Sequence, residues 1–190
     1  SAAPLSVAWS RDGTRLASAD KDRIFLWDPA TGARLWDVPF STAAPGIPDH
    51  GVLAFSGNGT WLAAATNRYV HFFNTATGAK FGTLWASTFS VNAVAFHPSI
   101  PDRIAVAVED PAIKVYTLDS SNVRPGIPPV PGTPLYTLTN HTQSVLDVAW
   151  SSDGNWLASG GKDNTVRVAN ANTRTLAWTG LEPQSPVFSV

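Results

Sequence analysis

Four stretches of this 190-residue chain repeat one another, and that repetition limits the fold more than any other feature. Residues 7–28 read VAWSRDGTRLASADKDRIFLWD, and residues 53–74 read LAFSGNGTWLAAATNRYVHFFN. Residues 94–116 read VAFHPSIPDRIAVAVEDPAIKVY, and residues 148–170 read VAWSSDGNWLASGGKDNTVRVAN. Each holds an apolar pair ending in an aromatic, a turn, a Leu-Ala-like run, a second turn and a third apolar run. The leading aromatics Trp9, Phe55, Phe96 and Trp150 recur at intervals of 46, 41 and 54. The third runs end at Trp27, Phe73, Tyr116 and Ala169, at intervals of 46, 43 and 53. A unit of this length cannot bury its own apolar face, so such chains fold by stacking units. A propeller or a solenoid is therefore expected.

The local chemistry selects strands. The runs 7–9, 23–27 and 113–116 are short and rich in β-branched and aromatic residues. Asp12-Gly13, Asn58-Gly59 and Asp153-Gly154 separate the first two strands of three repeats. Such pairs supply the positive φ that tight turns need. The third repeat carries Pro98-Ser99-Ile100-Pro101-Asp102 instead, a longer and stiffer connection. Fourth strands fit residues 34–38, 82–86, 134–138 and 175–179. Four strands per unit without helical periodicity predict an all-β chain of four-stranded sheets.

These residues resemble the WD-repeat (WD40) β-propeller family. In repeat one the likeness rests on Asp12-Gly13, Leu16-Ala17-Ser18 and Trp27-Asp28. In repeat four it rests on Asn140-His141, Asp147, Asp153-Gly154, Leu157-Ala158-Ser159-Gly160 and residues 163–168. Only Trp27-Asp28 keeps the name-giving dipeptide; Phe73-Asn74, Tyr116-Thr117 and Ala169-Asn170 stand in the other repeats. The resemblance implies one propeller region over 1–190, with repeats at about 5–40, 50–86, 91–138 and 141–179 and the start of a fifth at 186–190. It implies a structural side-chain network in which Ser18, Asp22 and Trp27 serve repeat one, and His141, Ser159 and Asp163 serve repeat four. It also implies an incomplete ring, since such propellers most often have seven blades. Either a larger propeller or a second chain is expected to complete it.

Two proline-rich segments interrupt the repeats. Residues 41–50 read STAAPGIPDH, and residues 119–134 read DSSNVRPGIPPVPGTP. The second carries overlapping P-x-x-P spacings between residues 125 and 134, which favour polyproline II. An SH3- or WW-type contact through 125–134 is one expectation, and a plain surface insertion is the other.

Composition narrows the chemistry. A net charge of −1 and a pI near 6.4 speak against nucleic-acid binding, which needs a basic footprint. No run of 18 apolar residues is present, so no membrane-spanning helix is expected. With no cysteine, thiolate nucleophiles and cysteine-ligated metals are excluded. The four histidines lie in separate repeats or linkers, so neither a metal nor another cofactor is expected. His141, Ser159 and Asp163 have the residue types of a hydrolase triad, but no strained G-x-S-x-G elbow accompanies them. The eight tryptophans mostly recur in register, which suits packing between blades.

The family builds one binding face from the second turns and the inter-blade loops. Carried over, that face holds Lys21, His50, Arg68, Tyr69, Phe89, Glu109, Gln143 and Lys162. Tyr, Phe and Arg are the residue types that anchor interfaces. Phe89 is either such an anchor or packed against its neighbour blade. The expected function is a non-catalytic scaffold that presents loops to a protein or peptide, within a larger protein or complex. A carbohydrate-binding, lectin-like propeller is the alternative, suggested by the tryptophans and the low charge.

Overall fold

The computed structural model describes residues 6–20, 22–39, 52–119, 123, 132–181 and 185–190. They form sixteen strands and, among the described residues, no helix. The first blade is β1 (Ser6–Trp9), β2 (Leu16–Ala19), β3 (Arg23–Asp28) and β4 (Ala33–Pro39). The second is β5 (Val52–Phe55), β6 (Trp61–Thr66), β7 (Tyr69–Asn74) and β8 (Lys80–Trp85). The third is β9 (Val91–Phe96), β10 (Arg103–Val108), β11 (Ile113–Thr117) and β12 (Tyr136–Leu138). The fourth is β13 (Val145–Trp150), β14 (Trp156–Gly161), β15 (Thr165–Asn170) and β16 (Thr175–Leu181). Within each blade neighbours in sequence pair antiparallel, in simple meander order. The expected fourth strands are all present, although β12 has only three residues because the proline-rich insertion precedes it.

The blades stack through their first strands: β1 on β5, β5 on β9 and β9 on β13. Alternate residues on each strand point to opposite faces, so each sheet has two apolar sides to cover. Ala17, Ile24 and Leu26 of the first blade meet Leu53, Leu62 and Phe73 of the second. Phe72, Val70 and Leu84 meet Phe96, Ile104 and Val106 at the next seam. Ala105, Val115 and Tyr136 meet Val148, Leu157 and Ala169 at the last. The small residues let backbones approach: a Cβ on Gly57 would lie 2.2 Å from the Pro98 carbonyl oxygen.

The arc is not closed, because the sheets of the first and fourth blades do not join. Its free ends explain where the tryptophans depart from inter-blade packing. Trp150 packs at the third seam and donates its indole N–H to the Ala95 carbonyl at 3.1 Å. Its counterpart Trp9 is 58% exposed on the outer side of the first blade. Trp156 and Trp178 are likewise exposed on the fourth. Residues 186–190 lie along that fourth blade. The Val187 amide donates to the Gly161 carbonyl at 3.2 Å, and the Val190 amide donates to Asp147 Oδ2 at 2.8 Å. The first bond repeats a pattern at the inner seams, where the Val91 amide meets Asn67 and the Val145 amide meets Asp110.

The first turns show how the repeat tolerates substitution. Asp12 Oδ1 accepts from the Ser10 hydroxyl and the Thr14 amide, and Asn58 Oδ1 makes the equivalent bonds to Ser56 and Thr60. In the third blade His97 takes over this role. Its Nδ1 accepts from the Ser99 and Ile100 amides at 3.1 and 3.0 Å, and its ring packs 4.7 Å from the Trp150 ring.

Two buried histidines make stability depend on pH. His71 sits within the second blade between the Thr66 and Thr83 hydroxyls. Burial, then the Lys80 charge, pushes its pKa from 6.5 down to about 4. Burial, then the Arg103 charge, also pushes His97 down. Their folded pKa values lie below the unfolded one, so their contribution is complete above pH 6.5 and is lost as pH falls, for His71 toward pH 4. At 1.36 kcal/mol per unit, His71 alone accounts for roughly 3 kcal/mol. The urea midpoint is expected to be flat above pH 7 and to fall steeply between pH 6.5 and 4.5. His71→Gln flattens that fall; an unchanged profile in this variant refutes the assignment.

Candidate functional site

The turns between second and third strands and the loops between blades meet at one end of the arc. Their backbones form a continuous run of hydrogen bonds. The Val91 amide donates to the Asn67 carbonyl, and the Glu109 amide donates to the Ser90 carbonyl at 2.8 Å. The Val145 amide donates to Asp110 at 3.1 Å, and the Lys162 amide donates to Ser144 at 2.9 Å. Turn, loop, turn, loop and turn are thus tied together across three blades. Asn67 takes a positive φ of 47°, and its side chain accepts from the Ser90 hydroxyl at 3.4 Å.

This framework brings most of the expected binding residues to one surface. Arg68 is exposed on the β6–β7 turn, with its carbonyl accepting from the Ala86 amide. Tyr69 beside it is half-buried against the Trp85 ring, 6.3 Å away. Phe89 is 51% exposed, and its amide is held by the Ser87 hydroxyl at 3.0 Å. The adjoining Trp85 indole N–H donates to the Ser87 carbonyl at 2.6 Å, which fixes the root of the same loop. Glu109 and Lys162 face each other across the third seam at 3.8 Å, both about half exposed, where such a pair adds little stability. Gln143 is exposed on the β12–β13 loop. Lys21 and His50 lie outside the described residues. The P-x-x-P segment lies outside them as far as residue 131, and the Gly132 amide then donates to the Trp85 carbonyl at 3.0 Å.

Beneath this surface lies the polar network of the fourth blade. His141 Nδ1 stands 3.0 Å from Asp163 Oδ1, and its Nε2 stands 2.8 Å from the Ser159 hydroxyl. Asp163 also accepts from the Thr142 amide at 2.9 Å and the Thr165 hydroxyl at 2.7 Å, with the Arg167 guanidinium at 3.4 Å. Burial acts to raise the Asp163 pKa, but these donors outweigh it and hold the carboxyl well below the usual range. The distances match those of a hydrolytic triad. The surroundings do not, since Ser159 is 2% exposed within the blade. The network is a clamp joining the β12–β13 loop to the β14–β15 turn.

In the first blade the Trp27 indole N–H donates to the Ser18 hydroxyl at 2.9 Å. The turn carboxylate is Asp20, whose Oδ1 accepts from the Asp22 and Arg23 amides at 2.8 Å each. Asp110 and Asp163 make the same bond to the residue two positions on. Asp20 is therefore the counterpart of Asp163 by hydrogen bonding, and Asp22 lies within the turn.

Residues 1–28 and 132–170 match the family described as WD domain, G-beta repeat. Among curated proteins, protein transport protein sec31 of Schizosaccharomyces pombe is 33% identical over 92 residues, covering 46% of this chain. A ribosome biogenesis protein WDR12 homolog of Nematostella vectensis is 38% identical over 76 residues, covering 40% of it. The matched segments are WD40 repeats. The blades of the chain also superpose on the structure of U3-55K with a TM-score of 0.77, covering 98% of this chain at 19% identity. The chain spans 7% and 16% of the two curated relatives and 54% of the solved chain.

The family pattern found the clamp through His141, Ser159 and Asp163, but it passed over Thr165 and Arg167. Thr165 bridges Asp163 and the His141 ring, and Arg167 donates to the Thr165 hydroxyl at 3.1 Å. A visible signal existed: Asp163, Thr165 and Arg167 alternate, so they share one strand face. Where a WD40 repeat would close its network with tryptophan, this blade has Ala169, which is buried in the third seam.

Proposed function

We propose that this WD40 chain is a non-catalytic platform that recognises a protein or peptide segment, within a larger protein or complex. The contact surface is the loop end carrying Arg68, Tyr69, Phe89, Glu109, Gln143 and Lys162; Lys21 and His50 belong to the same proposal. The observation that carries it is the hydrogen-bonded run of turns and loops, which holds an exposed phenylalanine and exposed charges on a rigid frame. Such a frame presents contact groups at low ordering cost, and a few anchors then dominate affinity. The two relatives are named for protein transport and ribosome biogenesis; both names are compatible with work in assemblies. Residues 186–190, seated along the fourth blade, are read as the first strand of a fifth repeat. No observation favours a sugar site, or an SH3- or WW-type contact.

The test is cross-linking of the full-length protein in native extract, comparing wild type, Phe89→Ala, Arg68→Ala and the opposite-end control Thr60→Ala. Phe89→Ala and Arg68→Ala are expected to lose the same cross-linked proteins, with affinity down at least about tenfold. Thr60→Ala retains them, and thermal midpoints of the two face variants stay within about 2 °C. Full retention of partners by both face variants overturns the assignment of this surface.

A further inference from the structure

The seam between the third and fourth blades holds polar groups that the clamp and the loop face do not use. Tyr136 on β12 is 9% exposed, and its hydroxyl has no hydrogen-bond partner. Arg103 on β10 has a buried Nε that is equally unpartnered. A buried donor without a partner costs about 1–3 kcal/mol, so native folds rarely keep two together without use. Strand register brings the two groups to one face. Ala105, Val115 and Tyr136 form one row across β10, β11 and β12, and Arg103 lies two residues along from Ala105. That row faces the fourth blade, where Ala105, Val115 and Tyr136 pack on Val148 and Leu157.

A third group arrives from the other side. Arg174 lies on the exposed β15–β16 turn, in the left-handed region at φ 61°. Its guanidinium carbon stands 4.9 Å from the centre of the Tyr136 ring. Among the described residues neither arginine is paired with a carboxylate. His97, whose amide donates to the Arg103 carbonyl, is pushed toward its neutral form by burial. Burial likewise keeps the Tyr136 phenol protonated, so it is a donor at neutral pH.

We propose that Tyr136, Arg103 and Arg174 form a binding site for a phosphate-type oxyanion at this seam. All three groups only donate toward an anion, and they come from two strands of one blade and a turn of the next. That spread suits a tetrahedral oxyanion, which accepts from several directions, better than a planar carboxylate. Arg174 is the exposed member and marks the way in. The seam site is separate from the loop face: Arg103 opens β10, whereas Glu109 follows its far end.

Titration of this chain with inorganic phosphate at constant ionic strength tests the site, followed by thermal midpoint and calorimetry. Chloride and acetate serve as controls. Phosphate is expected to raise the midpoint with a saturable dependence that chloride and acetate do not share. Tyr136→Phe and Arg174→Gln each weaken phosphate binding by about tenfold or more. In chloride alone Tyr136→Phe unfolds no earlier than wild type, because it removes an unpartnered buried hydroxyl. O-phosphoserine, run in parallel, distinguishes the source: tighter binding than inorganic phosphate assigns the site to a modified side chain, and weaker binding assigns it to the free ion. Absence of a phosphate-specific effect overturns the proposal. So does an equal effect of acetate, or an effect undiminished in both variants.

Discussion

Asp163→Ala is expected to destabilise the chain by about 3–5 kcal/mol, the usual cost of removing one partner from a buried charged network. The Asp163 side chain is 4% exposed, and it receives the Thr142 and Thr165 amides, the Thr165 hydroxyl, His141 and Arg167. Alanine leaves the Arg167 charge and the His141 ring without their acceptor inside the blade. The loss is not confined to stability. Thr142 belongs to the loop before β13, so the β12–β13 loop and the β14–β15 turn come apart at the loop face. Chemical denaturation measures the first effect. Amide hydrogen exchange measures the second, with faster exchange expected at Thr142 and Thr165 and no change in the β6–β7 turn. A loss below about 1 kcal/mol shows that the network is not a clamp. Asp163→Asn is the milder companion: it keeps one acceptor oxygen and is expected to fall between the two.

Phe72→Ala is expected to cost about 3–5 kcal/mol, as large-to-small changes of fully buried aromatics do. Phe72 has no exposed surface and fills the seam between the second and third blades. Its ring lies 6.4 Å from Phe96 in an edge arrangement and 6.1 Å from Phe81. The partners come from a neighbouring blade and a neighbouring strand, so the cavity cannot close without moving one of them. Repeat arrays add stability seam by seam, and the loss should appear as early opening of β7 and β9. Val7→Ala is the matched control: Val7 is 65% exposed on the outer side of the first blade and is expected to change stability by less than about 0.5 kcal/mol. Equal effects of the two substitutions contradict the seam as described.

Much of this was legible because the repeat is local. A strand–turn–strand unit declares itself through residues within one blade: Asp12-Gly13 sets its turn, and the Trp27 indole reaches Ser18 nine positions away. The clamp was legible in part, since His141, Ser159 and Asp163 stand in a recognised order. Thr165 and Arg167 were missed because a pattern names positions and does not count hydrogen-bond donors. In the first blade the bonds to the Asp22 and Arg23 amides add Asp20 as a turn carboxylate that the pattern did not name, because the first repeat is shorter across its second turn. Trp9 and Trp150 occupy equal positions in their repeats, yet one is exposed and the other donates to Ala95. Their difference lies in whether another blade stands against them.

The sequence alone determined the strands, their grouping four to a repeat and the likeness to WD40 repeats, because backbone propensity and turn chemistry act over a few residues and repeat at each blade. Tertiary structure alone decided which faces are covered, that Ser159 is buried, and that Arg174 lies over the Tyr136 ring. Those outcomes depend on contacts between blades, whose members lie tens of residues apart. Close packing of one sheet on the next sets such contacts, and no local pattern records them.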